Sequence, residues 1–185
     1  IHVLTLATND EEAALARLAA APPARDHAVA YGVGGSPSEL FVVDLETGAE
    51  LWRTAAQPRS WPHIAGDVIV SHEGERIVAR DVRTGAMRFS SGERGMWLVG
   101  AAGEGHLGAF TLSTSAGAGA HSELVIVRGT EIAHRMGATH AMGSPEVAGG
   151  MVLVPWGSQY LSFLDPTTPE EVARAHTPMV LIPPE

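Results

Sequence analysis

Cysteine and lysine are missing from this 185-residue chain, and asparagine occurs once, as Asn9. The lack of Cys removes disulfides, thiolate metal sites and thiol nucleophiles together, and leaves the compartment open. The lack of Lys leaves 12 basic residues, all Arg, against 21 acidic ones, for a formal charge of −9. That balance carries no cationic footprint for nucleic acid or an anionic membrane. No apolar run approaches the roughly 20 residues that a membrane-spanning helix requires. A start at Ile1 rather than Met and an end at "LIPPE" fit a piece of something larger, with a leader or earlier region outside it.

Hydrophobic residues make up 45% of the chain and charged residues 18%, a balance that fills a core rather than staying disordered. The 21 Gly and 12 Pro suit short strands joined by tight turns. One segment reads as helix: residues 10–21, DEEAALARLAAA, with Asp10 as cap, acidic residues in the first turn and Pro22–Pro23 as the stop. Ile1–Ala7 before it alternates in part, as a strand would. From His27 onward, strand-length apolar runs are separated by Gly, Ser, Asp and Pro; ELFVVDL, GDVIVSH, ELVIVRG and GGMVLVPWG are examples. Many short strands at regular spacing predict an all-β sandwich, barrel or propeller, and repetition decides among these.

The segments do repeat. DLETGAELW at 44–52 aligns with DVRTGAMRF at 81–89, RGTEIAHRM at 128–136 is a degenerate copy, and DPTTPEEVA at 165–173 keeps the Asp and Thr. The successive offsets are 37, 47 and 37 residues. Upstream, PHIAGDVIV at 62–70 matches PEVAGGMVLV at 145–154 with one residue inserted. The recurring Asp is expected to accept backbone N–H bonds in an Asx-turn, with Gly48 and Gly85 supplying a positive φ. Eight residues after the Asp position stand Trp52, Phe89, Met136 and Ala173, large and apolar in three of the four copies. A four-stranded sheet of roughly 40 residues cannot bury both faces alone, so neighbours must stack on it, which predicts a β-propeller. The units divide at about 27–57, 58–93, 94–138 and 139–178, after an N-terminal strand-and-helix segment at 1–26.

The pattern Pro-x-Val-Ala-Gly, an apolar strand, then Val-x-Asp-x-x-Thr-Gly-x-x-x-Trp resembles the PQQ-like β-propeller repeat. That family spans the quinoprotein dehydrogenases and a non-catalytic, BamB-like branch of outer-membrane assembly lipoproteins. The resemblance covers about residues 27–178, strongest over 41–89 and 143–168 and weakest over 94–138. It implies that the Asp/Thr-Gly turn and the Trp interlock adjacent blades. Asp44, Thr47, Gly48 and Trp52 match in full; Asp81, Thr84 and Gly85 match with Phe89 in place of Trp; Asp165 and Thr168 match without the Gly and Trp. Family rings close with seven or eight blades, so about four blades of four antiparallel strands imply part of a ring, completed by more chain or by another chain. A closed ring of four blades is the less favoured arrangement.

Three chemical readings compete with a structural one. PQQ and calcium, as held by the enzymes of the family, need several convergent oxygen ligands and a base Asp, often with adjacent cysteines. Here Asn9 lies outside the repeats and the recurring carboxylates are turn residues, so a fragment of a PQQ-dependent dehydrogenase is only the runner-up. HRMGATHAMG at 134–143 offers His134, Met136, His140 and Met142, imidazole and thioether donors that suit soft copper. Met136, however, falls on the blade-packing position, and His140 and Met142 lie in the connection entering the fourth unit, so no metal is assigned. TLSTSAGAGAHSE at 111–123 brings Ser and His close in sequence without making a triad, and reads as a long hairpin loop able to carry partner contacts. The preferred reading is a propeller with no catalytic residue and no cofactor, a rigid scaffold for protein partners. The family resemblance places it in the periplasm or at the outer membrane, within a bacterial cell-envelope assembly.

Overall fold

The computed structural model describes residues 5–6, 29–34, 39–44, 47–56, 58–91, 95–114, 121–157, 160–168 and 171–176. The helix expected at 10–21 lies outside them. Strands β1 (Thr5–Leu6) to β16 form four antiparallel sheets. The first holds β2 (Val29–Gly34), β3 (Glu39–Asp44) and β4 (Glu50–Thr54); the second holds β5 (His63–Ala65), β6 (Val68–Glu73), β7 (Arg76–Asp81) and β8 (Met87–Ser91). The third holds β9 (Trp97–Glu104), β10 (Leu107–Ser113), β11 (Ser122–Arg128) and β12 (Glu131–Ala138). The fourth holds β13 (Glu146–Ala148), β14 (Met151–Trp156), β15 (Tyr160–Leu164) and β16 (Glu171–His176). β1 joins the edge of β16 with Thr5 opposite His176, so the fourth sheet has five strands, and the first has three among the described residues.

The apolar runs are buried on both faces because a sheet lies on either side of them. On β6, Ile69 packs with Leu40, Val42 and Trp52 of the first sheet, whereas Val68 and Val70 pack with Phe110 and Leu112 of the third. On β10, Ala109 turns the other way, into a cluster with Val152 and Val154 of the fourth sheet. Burial of each such Val, Ile, Leu or Phe contributes about 1.5–3 kcal/mol, so these three interfaces are the main source of cohesion. The first strands of the sheets, β5, β9 and β13, lie side by side. There the backbones touch: a Cβ on Gly108 would lie 2.3 Å from the Ala65 carbonyl carbon, and one on Gly103 would lie 2.0 Å from the Gly66 nitrogen.

The last ladder of every sheet contains a one-residue bulge, which increases local twist. In these ladders Trp52 stands opposite Val42, Phe89 opposite Ala79, Met136 opposite Leu124 and Ala173 opposite Phe163. Trp52, Phe89 and Ala173 therefore occupy one structural position, directly at the bulge; in the third sheet His134, opposite Ile126, holds that position and Met136 lies two residues further along. The fold is all-β: four antiparallel sheets stacked in chain order, with β5, β9 and β13 of the last three adjacent, as consecutive blades in part of a propeller ring.

Candidate functional site

Because each sheet meanders, its ends differ. One end carries the turn between the first two strands and the Asp-containing turn before the last strand; the other carries the links from sheet to sheet. At the turn end, the Asp44 carboxylate accepts from the Thr47 N–H at 2.9 Å and from the Thr47 hydroxyl. Asp81 accepts from the N–H groups of Arg83 and Thr84, both at 2.9 Å, and from Arg88 Nη2 at 2.7 Å. Burial raises the Asp81 carboxyl, but the hydrogen bonds from Arg88 and from the Thr84 and Arg83 backbone outweigh it and hold its pKa below the ordinary value. In the fourth sheet Asp165 accepts from the N–H and hydroxyl of Thr167, which stands where Arg83 stands after Asp81. Gly48 and Gly85 have φ of 70° and 72° and donate back to the carbonyls of Asp44 and Asp81.

Trp52 joins the first sheet to the second turn. Its indole Nε1 donates to the Val82 carbonyl at 2.9 Å, and its ring lies so close to Gly85 that a Cβ there would approach Cδ2 to 2.6 Å. Phe89 reaches the third sheet and stacks on Phe110, with centroids 6.3 Å apart, and Met136 packs into the cluster shared with the fourth. Ala173 is buried with Phe163 and Met151. The turn between the first strands of the second sheet closes the same end: the Asp67 carbonyl accepts from Val82 N–H, and its carboxylate meets His106 Nδ1 at 2.6 Å.

The link end is different. Trp61, in the link to β5, is 61% exposed, and Trp97, the first residue of β9, is 59% exposed. Tyr160, which opens β15, is also exposed. Trp97 is anchored by Nε1 donating to the Thr114 carbonyl at 3.2 Å, which leaves its ring in solvent. His63 and His72 sit at this end too: burial lowers the pKa of both, and the Arg59 charge lowers that of His72 further. On the fourth sheet, beside the link that enters it, the link end holds a half-open pocket of about 310 Å³, lined by His140, Trp156, Tyr160 and Arg174. The link carrying His140 is laid along β14 by two backbone bonds, Gly143 N–H to Pro155 and Gly157 N–H to Ala141. None of the exposed aromatics was marked by the repeat, whose signal lies in the turns; carrying the repeat alignment across to β15 and β16 would have led to Tyr160 and Arg174.

The His/Met segment is divided by the fold. His134 Nε2 lies 3.1 Å from the Thr167 carbonyl, and Met136 and Met142 pack in the apolar cluster between the third and fourth sheets. His140 stands apart on the exposed link. Among the described residues no three His, Asp or Glu side chains gather closely enough to hold a metal ion, and no helix is long and apolar enough to cross a membrane. The loop at 111–123 lies in part outside the described residues.

No protein-family model and no curated protein matches the sequence. Among solved structures, the computationally designed Ika8 protein is similar over 80% of this chain and 46% of its own, with 12% identity and a TM-score of 0.52. BamB from Moraxella catarrhalis is similar over 84% of this chain and 42% of its own, with 13% identity and a TM-score of 0.37. The chain thus spans less than half the length of either structure, and at such identity the likeness concerns the fold alone.

Proposed function

We propose that this propeller segment is a non-catalytic scaffold whose link end docks protein partners. The carrying observation is the placement of Trp61 and Trp97, two indoles more than half exposed, at one end of the stacked sheets. Large, flat side chains with little conformational freedom are the usual anchors of protein interfaces, and an indole left in water favours being covered. The carboxylates of the repeat, Asp44, Asp81 and Asp165, serve their own turns rather than a shared centre. The likeness of the repeat to PQQ-like propellers of the BamB-like branch supports a place in a periplasmic or outer-membrane assembly.

Photo-crosslinking residues at positions 61 and 97, with position 84 at the turn end as control, test the docking face in cells. Discrete adducts from 61 and 97 and none from 84 are expected; adducts equal at all three, or none, would sink the reading. Purified protein carrying stoichiometric calcium and a quinone absorbance band would favour the dehydrogenase instead.

A further inference from the structure

The pocket on the fourth sheet has a counterpart within the same chain. The offset of 121 residues that takes Asp44 to Asp165 also takes Glu50 and Arg53 of β4 to Glu171 and Arg174 of β16. Both arginines lie three residues after a glutamate to which they are paired, Arg174 Nη2 reaching Glu171 at 2.9 Å. Both also lie over a ring, Arg53 4.8 Å from the Phe41 centroid and Arg174 5.5 Å from that of Tyr160. They differ on the other edge of the guanidinium. Arg53 Nη1 donates to a second carboxylate, Glu39, at 3.0 Å. The residue at the Glu39 position of the fourth sheet is Tyr160, and among the described residues no second carboxylate is paired with Arg174.

We infer that the pocket binds an aromatic carboxylate, whose acid group takes the place that Glu39 fills beside Arg53. This rests on the link end being the binding face. A guanidinium edge presents parallel N–H groups that match a carboxylate, and the charge-assisted pair is stronger than a neutral hydrogen bond. His140 adds a second polar group, its Nδ1 lying 3.4 Å from the Thr139 hydroxyl, and the tautomer protonated on Nε2 donates to an acid. The ring of the ligand lies against Trp156. The only polar atom of that indole donates to Ser162 Oγ at 2.8 Å, and the Ser162 hydroxyl donates in turn to Glu171, so the surface left to the pocket is hydrocarbon. Glu171, already holding Arg174 and Ser162, keeps the guanidinium in place and its own charge paired. A volume of about 310 Å³ suits one aromatic ring with its acid arm. Amines are disfavoured by the Arg174 charge.

A free aromatic acid and the C-terminal residue of a peptide share this chemistry. Titration calorimetry on the purified chain with indole-3-acetate, indole-3-acetamide and an acetylated Ala-Ala-Trp peptide with a free C-terminus distinguishes them. Indole-3-acetate is expected to bind at least tenfold more tightly than its amide. A tripeptide tighter than indole-3-acetate identifies a peptide terminus as the ligand, and one equal or weaker identifies the free acid. Arg174→Gln, at an exposed side chain, should cost at least tenfold and erase the preference for acid over amide, while Arg53→Gln changes neither. Tyr160→Glu, which restores the internal acid, should abolish binding with the melting transition retained. Equal affinity for acid and amide, wild-type affinity in Arg174→Gln, or no binding at millimolar indole-3-acetate overturns the inference. Crosslinks from positions 61 and 97 that persist in that event leave the docking face standing; their absence alongside retained acid binding rejects the docking face and leaves the pocket.

Discussion

The two ends of the stacked sheets are made by the same strands, yet they treat their polar and aromatic groups in opposite ways. At the turn end, carboxylates meet backbone N–H groups within three residues of themselves, and Trp52 is clamped between a carbonyl and a glycine of the next sheet. At the link end, Trp61 and Trp97 face solvent and Arg174 has one carboxylate where Arg53 has two. Side chains enclosed between sheets hold the stack together; rings left in water are open to a partner. The division of labour is thus between cohesion and recognition.

The largest effects are expected where sheets meet. Gly108→Ala places a Cβ against the Ala65 backbone, which has no side chain to move aside, and should cost about 3 kcal/mol in urea unfolding. Trp52→Ala should cost a similar amount, about 3 kcal/mol, from lost burial and an unpaired Val82 carbonyl. A next, smaller effect is expected from Asp81→Asn, about 1 kcal/mol at neutral pH, since the Arg88 pair and the charge in the turn are lost. The Asp81 pKa is lower folded than unfolded, so its contribution is present above roughly pH 4 and lost as pH falls through the folded value. Stability measured against pH should therefore fall less steeply on the acid side in Asp81→Asn, and an unchanged slope would show that the turn does not depend on the charge.

At the link end the sign is the same, but the lowered pKa comes from burial rather than from hydrogen bonds. His72 has a folded pKa below its unfolded one, so the folded state resists protonation and stability declines as pH drops below roughly 6.5. His72→Gln should flatten that decline, with His63→Gln acting in the same direction. Smallest of all in stability is Trp61→Ser, within about 0.5 kcal/mol of wild type, combined with loss of partner crosslinks from position 97. A large destabilisation in Trp61→Ser would make this indole part of the cohesion and blur the contrast between the ends.

Much of the turn end was readable in the sequence because its interactions are local. An Asp followed by Thr and Gly specifies an Asx-turn whose donors lie within three residues, and Trp52, Phe89 and Ala173 follow from a fixed spacing after it; in the third sheet the turn between Arg128 and Glu131 is shorter, so the same spacing overshoots to Met136 and His134 takes the position. At Asp165 the turn is local in the same way, the Thr167 N–H meeting the carboxylate two residues on as the Arg83 N–H meets Asp81. The pocket was less readable. His140, Trp156, Tyr160 and Arg174 come from a link and three strands, and only strand register brings them together. The His/Met segment shows the converse: neighbours in sequence are parted, because the strand carries His134 and Met136 toward the fourth sheet while the link places Met142 inside and His140 outside.

The glycine seam has a geometric consequence. At the first strands, Ala65–Gly66 touches Gly103 and Gly108 with no Cβ between them, whereas further out the rings of Phe89 and Phe110 hold the same two sheets apart. This interface is therefore a wedge, thin toward the first strands and thick toward the last, and its taper sets the angle between the two blades. The number of blades needed to close a circle is then written in side-chain size at two radii, so trimming Phe89 or adding a methyl group at the seam changes the angle between blades as well as their affinity.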